Sequence, residues 1–196
     1  PTVRSSREIV SPCLLTEPRE PTESEGAGTP QVARMHTFVH DHPEDLLAML
    51  SGPVADWFRA AFPEGPTPAQ GLAWPPLLAR RHALLISPTG TGKTLAGFLA
   101  ILDRLFRDHL AGTLAPGIRC VYISPLRSLG YDIERNLGVP LAGITQRLGL
   151  VESPVRIGVR TGDPPPYLRN KQRERPPHLL ITTPESLALM LSQQGW

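Results

Sequence analysis

Cysteine is nearly absent: Cys13 and Cys120 are the only two in 196 residues, far apart and with no His or second Cys at ligand spacing. That excludes a disulfide framework and a structural zinc site, and it fits a reducing compartment. Long apolar runs are missing too. No stretch approaches the roughly 20 residues that a bilayer span requires, and the first residues lack the apolar core of a secretory signal. The expectation is a soluble, cytoplasmic protein without a membrane partner. Nor does one sign of charge dominate. Twenty Lys and Arg face 18 Asp and Glu, a net charge of +2, which permits a nucleic-acid partner without demanding one.

Proline, by contrast, abounds, and many of the 23 prolines fall in the first residues or at loop boundaries. From Pro1 to Arg34 the chain mixes Pro, Ser, Thr, Glu, Arg and Gly without a helical or strand period, the composition of a segment that buries too little to fold. Residues 1–42 are expected to form a disordered tail. Pro1 in place of Met leaves the true start open, with Met35 as an alternative. His36, His40 and His42 lie in this region without a carboxylate or cysteine at ligand spacing, so no metal site is expected from them.

From Pro43 the pattern becomes regular. Leu46, Leu47 and Leu50, then Val54, Trp57, Phe58 and Ala61, mark two short helices; Pro68 to Arg80 marks a third, opened by Thr67 as N-cap and kinked by Pro75-Pro76. His82 to Ser87 reads as a strand buried on both faces, and Thr94 to Arg107 as an amphipathic helix. Ile118 to Ser124, Pro154 to Arg160 and His178 to Thr183 read as further strands, with a long helix over Leu126 to Leu148 between the first two. A basic helical stretch, Arg169 to Arg175, precedes the last strand and reads as a solvated face or a stripe for DNA; Glu185 to Leu191 follows as a helix. Strands alternating with helices predict an α/β fold, a three-layer sandwich around a parallel sheet, in one domain over 43–196.

The strongest motif is Ser87-Pro88-Thr89-Gly90-Thr91-Gly92-Lys93-Thr94, set between a strand and a helix, which is the context of a phosphate-binding P-loop. Gly90 and Gly92 free the backbone to turn its amides inward on an anion, and the following helix adds its positive end. Pro88, Thr89, Gly90, Thr91 and Gly92 would line the cradle. Lys93 would reach the outer phosphates and Thr94 would ligate Mg²⁺, so the cofactors expected are ATP and Mg²⁺.

Four further segments accompany this loop: Thr67-Pro68-Ala69-Gln70 upstream; Ser124-Pro125-Leu126-Arg127 downstream; then Arg160-Thr161-Gly162-Asp163 and Thr182-Thr183-Pro184-Glu185-Ser186-Leu187. Together they resemble the superfamily 2 DEAD/DEAH-box-type helicases, most of all the large helicase-related (Lhr) family, over residues 52 to 196. The resemblance implies part of a first RecA-like lobe. It assigns adenine recognition to Gln70 beside Thr67, and contacts with single-stranded DNA or RNA to Ser124, Pro125, Arg127, Thr161, Gly162, Thr183, Pro184 and Glu185. It also implies a second helicase lobe as partner and ATP-dependent translocation as the activity. Gly130-Tyr131 departs from the family's turn at that point. An aromatic wall for the base from Trp57, Phe58 or Phe62 competes with a plain core role for those rings.

Hydrolysis in this superfamily needs an acidic Asp-Glu sequence that holds Mg²⁺ and orients water. No Asp-Glu pair follows the P-loop here. The chain is thus expected to bind ATP and not to hydrolyse it alone. A non-catalytic nucleotide-binding module remains as an alternative, and a small P-loop kinase as a weaker one.

Overall fold

A computed structural model describes residues 14–16, 43–125, 127–162, 170 and 172–192. The described elements are β1 (Leu14–Thr16), α1 (Pro43–Ala48), α2 (Gly52–Ala61), α3 (Pro68–Leu78), β2 (Leu84–Ile86), α4 (Lys93–Leu110), β3 (Cys120–Ile123), α5 (Arg127–Arg147), β4 (Ile157–Arg160), β5 (Leu179–Thr182) and α6 (Pro184–Ser192). The chain divides into two units, Pro1–Met49 with Glu64–Gly97, and Leu50–Pro63 with Phe98–Trp196.

In the first unit α1 lies against α3 at Gly71, where an added Cβ would stand 3.0 Å from Leu46 Cδ1. The missing side chain leaves room for Leu46, which is buried, as is Leu47. Thr67 caps α3 in a reciprocal capping box: its backbone N–H donates to Gln70 Oε1 at 2.9 Å, and its hydroxyl accepts from Gln70 N at 3.3 Å. Both prolines of the Pro75-Pro76 pair lie inside the helix, and their carbonyls accept from Ala79 N and Arg81 N at its end.

Two expectations change here. Leu14–Thr16, placed by composition in a structureless tail, pairs antiparallel with β2, Leu15 opposite Leu85. The rest of that tail, with His36, His40 and His42, lies outside the described residues. β2 itself was expected to be buried on both faces, yet Leu84 and Ile86 are each 52% exposed. Among the described residues β1 is its only strand neighbour, which leaves its apolar side chains uncovered.

The second unit carries a parallel sheet ordered β3-β5-β4, in register at Tyr122–Ile181 and Val159–Ile181. Leu179, Leu180, Ile181 and Thr182 of the central strand are all buried, as an uninterrupted apolar run flanked on both edges demands. α5 packs on β4 and β5, and α2 packs on α5. Trp57 takes part in that second contact; a Cβ on Gly143 would overlap its indole ring. Trp57 and Phe58 are buried and pack with Phe62, the Phe58 and Phe62 centroids 4.8 Å apart. Trp57 and Phe58 serve the core, which is what removing this much aromatic surface from water favours. Asp103, wholly buried on α4, accepts from Ser51 N at 2.6 Å and from Arg107 Nε at 2.6 Å, joining the start of α2 to α4.

Candidate nucleotide and nucleic-acid sites

The loop between β2 and α4 turns through Gly90 and Gly92, both at φ +83°, a region that side chains rarely adopt. Thr91 Oγ1 donates to the Pro88 carbonyl at 2.9 Å and meets the Ser87 hydroxyl. Lys93 Nζ donates to the Ser87 carbonyl at 2.5 Å and to the Pro88 carbonyl, so its ammonium is held against the first residues of the loop. The backbone amides of Gly90, Thr91 and Gly92 donate to no carbonyl among the described residues. Thr94 is exposed in the first turn of α4, one residue beyond Lys93.

The start of α3 is fastened to this loop. Thr67 Oγ1 donates to the Thr91 carbonyl at 2.8 Å. A Cβ on Gly92 would lie 2.9 Å from Gln70 Nε2 and 3.3 Å from Thr67 Oγ1, so the loop passes directly over the capping box. Gln70 is 97% buried, with Oε1 engaged by Thr67 N. Trp74, fully buried, donates Nε1–H to the Ala96 carbonyl at 3.2 Å and fixes the first turn of α4. Thr67, Gln70 and the 87–94 loop therefore form one cluster. Neither Ser87 nor Trp74 was singled out for this bracing, because neither the hydroxyl contact nor the indole bond spans a fixed sequence interval.

The other predicted residues fall in the second unit, after the carboxyl ends of β3, β4 and β5. Ser124 is buried and its amide donates to the Thr182 carbonyl at 2.8 Å; Pro125 is exposed. Arg127 opens α5, its side chain outside the described residues. Thr161 and Gly162 are half-buried, and Pro184 and Glu185 are exposed on the first turn of α6. Thr183 departs from its expected part as a free donor. It is buried, its hydroxyl donates to Ser186 Oγ at 3.1 Å, and the same oxygen accepts from Ser186 N at 3.3 Å. The Gly162 amide is likewise taken, donating to Ser186 Oγ at 2.9 Å. Gly130, the residue that departs from the family pattern, sits where a Cβ would be 3.4 Å from Ile181 Cγ2 and 3.6 Å from Thr161 Cγ2.

At the opposite, amino end of the sheet, His178 Nδ1 accepts from Arg156 N at 3.0 Å. Burial first, then the guanidinium charges of Arg156 and Arg119, hold its pKa below the ordinary value. In the basic stretch Arg173, Glu174 and Arg175 are exposed, and Gln172 Nε2 donates to the Val159 carbonyl at 3.0 Å, occupying an edge of β4.

The family model for DEAD/DEAH box helicases matches residues 67–195. The chain belongs to that family. This DEAD/DEAH box helicase chain is 46% identical over 161 residues to the Lhr helicase/uracil glycosylase of Escherichia coli (strain K12), an alignment covering 78% of this chain and 10% of the relative. It is 42% identical over 149 residues to the ATP-dependent helicase Lhr-Core of Saccharolobus solfataricus, covering 76% of this chain and 17% of that one. Among solved structures, the Mycobacterium smegmatis helicase Lhr bound to ssDNA and AMP-PNP matches with a TM-score of 0.67 and 44% identity, over 76% of this chain and 19% of that one. The yeast DEAD-box splicing factor Prp28 shares the fold at 18% identity and a TM-score of 0.57. The chain thus spans less than a fifth of the length of these Lhr relatives. Among the described residues no helix is long and apolar enough to cross a membrane, and no cluster of His, Cys, Asp or Glu could hold a metal ion.

Proposed function

We propose that the chain is the ATP-binding part of an ATP-dependent helicase that moves along single-stranded DNA or RNA. The observation that carries the reading is the bracing of the P-loop by α3: Thr67 on the Thr91 carbonyl and Gln70 against Gly92. That bracing fixes a loop whose Gly90, Thr91 and Gly92 amides donate to no carbonyl among the described residues, and a bound anion would supply acceptors for them. Gln70, buried with its carbonyl taken by Thr67 N and its Nε2 against Gly92, bears on the nucleotide by bracing the loop; the adenine contact that the resemblance implies would need Nε2 uncovered. Thr94, exposed beside Lys93, would be the residue to ligate a nucleotide-borne Mg²⁺. When bound, such an ion neutralises phosphate charge.

On this reading the loops after β3, β4 and β5 face the nucleic acid, with Pro125, Thr161, Pro184 and Glu185 at the surface that meets it and Arg127 proposed as a further contact at the start of α5. Phosphate binding there draws on neutral donors and the positive end of α6. The second helicase lobe is the expected partner. A titration with a fluorescent ATP analogue tests the nucleotide reading: saturable binding abolished by Lys93→Ala supports it, and binding unchanged by that substitution overturns it. An ATPase assay with and without single-stranded DNA is expected to give no turnover, because no Asp-Glu pair follows the P-loop in this sequence.

A further inference from the structure

We infer that Ser186 is a positioning residue for the nucleic-acid surface, clasping the loop after β4 to the start of α6; the inference rests on the reading just proposed. Ser186 is buried, 4% exposed, so it cannot itself reach a strand. Its hydroxyl oxygen accepts from two directions: from Gly162 N at 2.9 Å, 24 residues earlier in the chain, and from Thr183 Oγ1 at 3.1 Å, at the cap of its own helix.

A serine three residues after a cap ordinarily serves only its own helix end. Here it also takes the amide of another loop, at a glycine whose φ of +72° turns that loop towards it. A second tie runs parallel to the first, from Thr182 Oγ1 to the Arg160 carbonyl at 2.7 Å. A Cβ added at Gly130, in the first turn of α5, would stand 3.6 Å from Thr161 Cγ2.

The consequence is a division of labour. The Gly162 amide is spent on the clasp, so the loop meets a phosphate through Thr161 instead. Pro184 and Glu185 are held at a set separation from Thr161, and the two loops bind as one preorganised surface.

Fluorescence anisotropy of a labelled oligo-dT at low salt, on the whole 196-residue chain, tests this together with NMR exchange of the Gly162 amide. Ser186→Ala is expected to weaken binding about three- to tenfold, the range one lost hydrogen bond commands, and to unprotect the Gly162 amide. Ser186→Thr, which keeps the oxygen, is expected to restore both. Should the alanine variant not fold, Ser186→Cys, similar in size with a weaker acceptor, is read the same way. Equal affinity in the folded variants and the unaltered chain overturns the clasp alone. Failure of the unaltered chain to bind oligo-dT overturns the nucleic-acid reading, and the clasp with it.

Discussion

The hydroxyl of Thr67 donates a 2.8 Å hydrogen bond to the carbonyl of Thr91, tying the cap of α3 to the loop that precedes α4. One side chain thereby does two jobs, capping the start of a helix and bracing the loop, since the same oxygen accepts from Gln70 N. Thr67→Val keeps the shape and removes both bonds. It is expected to weaken nucleotide-analogue binding about two- to tenfold by fluorescence titration; an unchanged affinity would show the brace to be idle.

Gly90 and Gly92 share a φ of +83° and differ in what surrounds them. Nothing lies within 4 Å of a Cβ at Gly90, whereas one at Gly92 would press on Gln70 Nε2 and Thr67 Oγ1. Gly90→Ala therefore carries only backbone strain, about 1–2 kcal/mol. Gly92→Ala adds a steric conflict with the capping box. The nucleotide-analogue titration is expected to show the larger loss at Gly92, and the reverse order would contradict the packing described.

α5 offers a matched pair for stability. An alanine at Gly143 collides with Trp57, while Gly138, on the same helix, has open space around it. Gly143→Ala is expected to destabilise the chain by about 1–3 kcal/mol. Gly138→Ala is expected to stabilise it by up to about 1 kcal/mol through helix propensity. Urea denaturation followed by circular dichroism distinguishes the two.

His178 supplies a pH dependence whose sign follows from its depressed pKa. Since the folded value lies below the ordinary 6.5, the neutral ring contributes stability that is fully present above pH 6.5 and is lost as pH falls through the folded value. Protonation would also remove the lone pair that accepts from Arg156 N, at the start of β4 and β5. Thermal melts between pH 7.5 and 5 are expected to fall in the unaltered chain, and to fall less in His178→Asn. Parallel slopes in the two would remove His178 as the cause.

The parallel strands and the long helices were legible because their signals are local. Leu179 to Thr182 is a short apolar run with a turn on either side, and α5 runs over 127–147 where 126–148 was expected. The P-loop was legible for the same reason: its glycines, lysine and threonine stand at fixed spacing because backbone geometry requires it. Composition misled at Leu14–Thr16, since strand pairing depends on a partner that composition does not encode.

By itself, the sequence determined the family, the strands and helices from Pro43 onward, and the motif expected to cradle phosphate, all of which follow from chemistry carried within a few neighbouring positions. Tertiary structure decided which polar groups remain to bind anything. Thr183 and the Gly162 amide are consumed by Ser186, and Gln70 gives its carbonyl to Thr67. A side chain's availability depends on which distant donor or acceptor the fold brings within about 3 Å, and that pairing is written in the packing of elements rather than in their spacing along the chain.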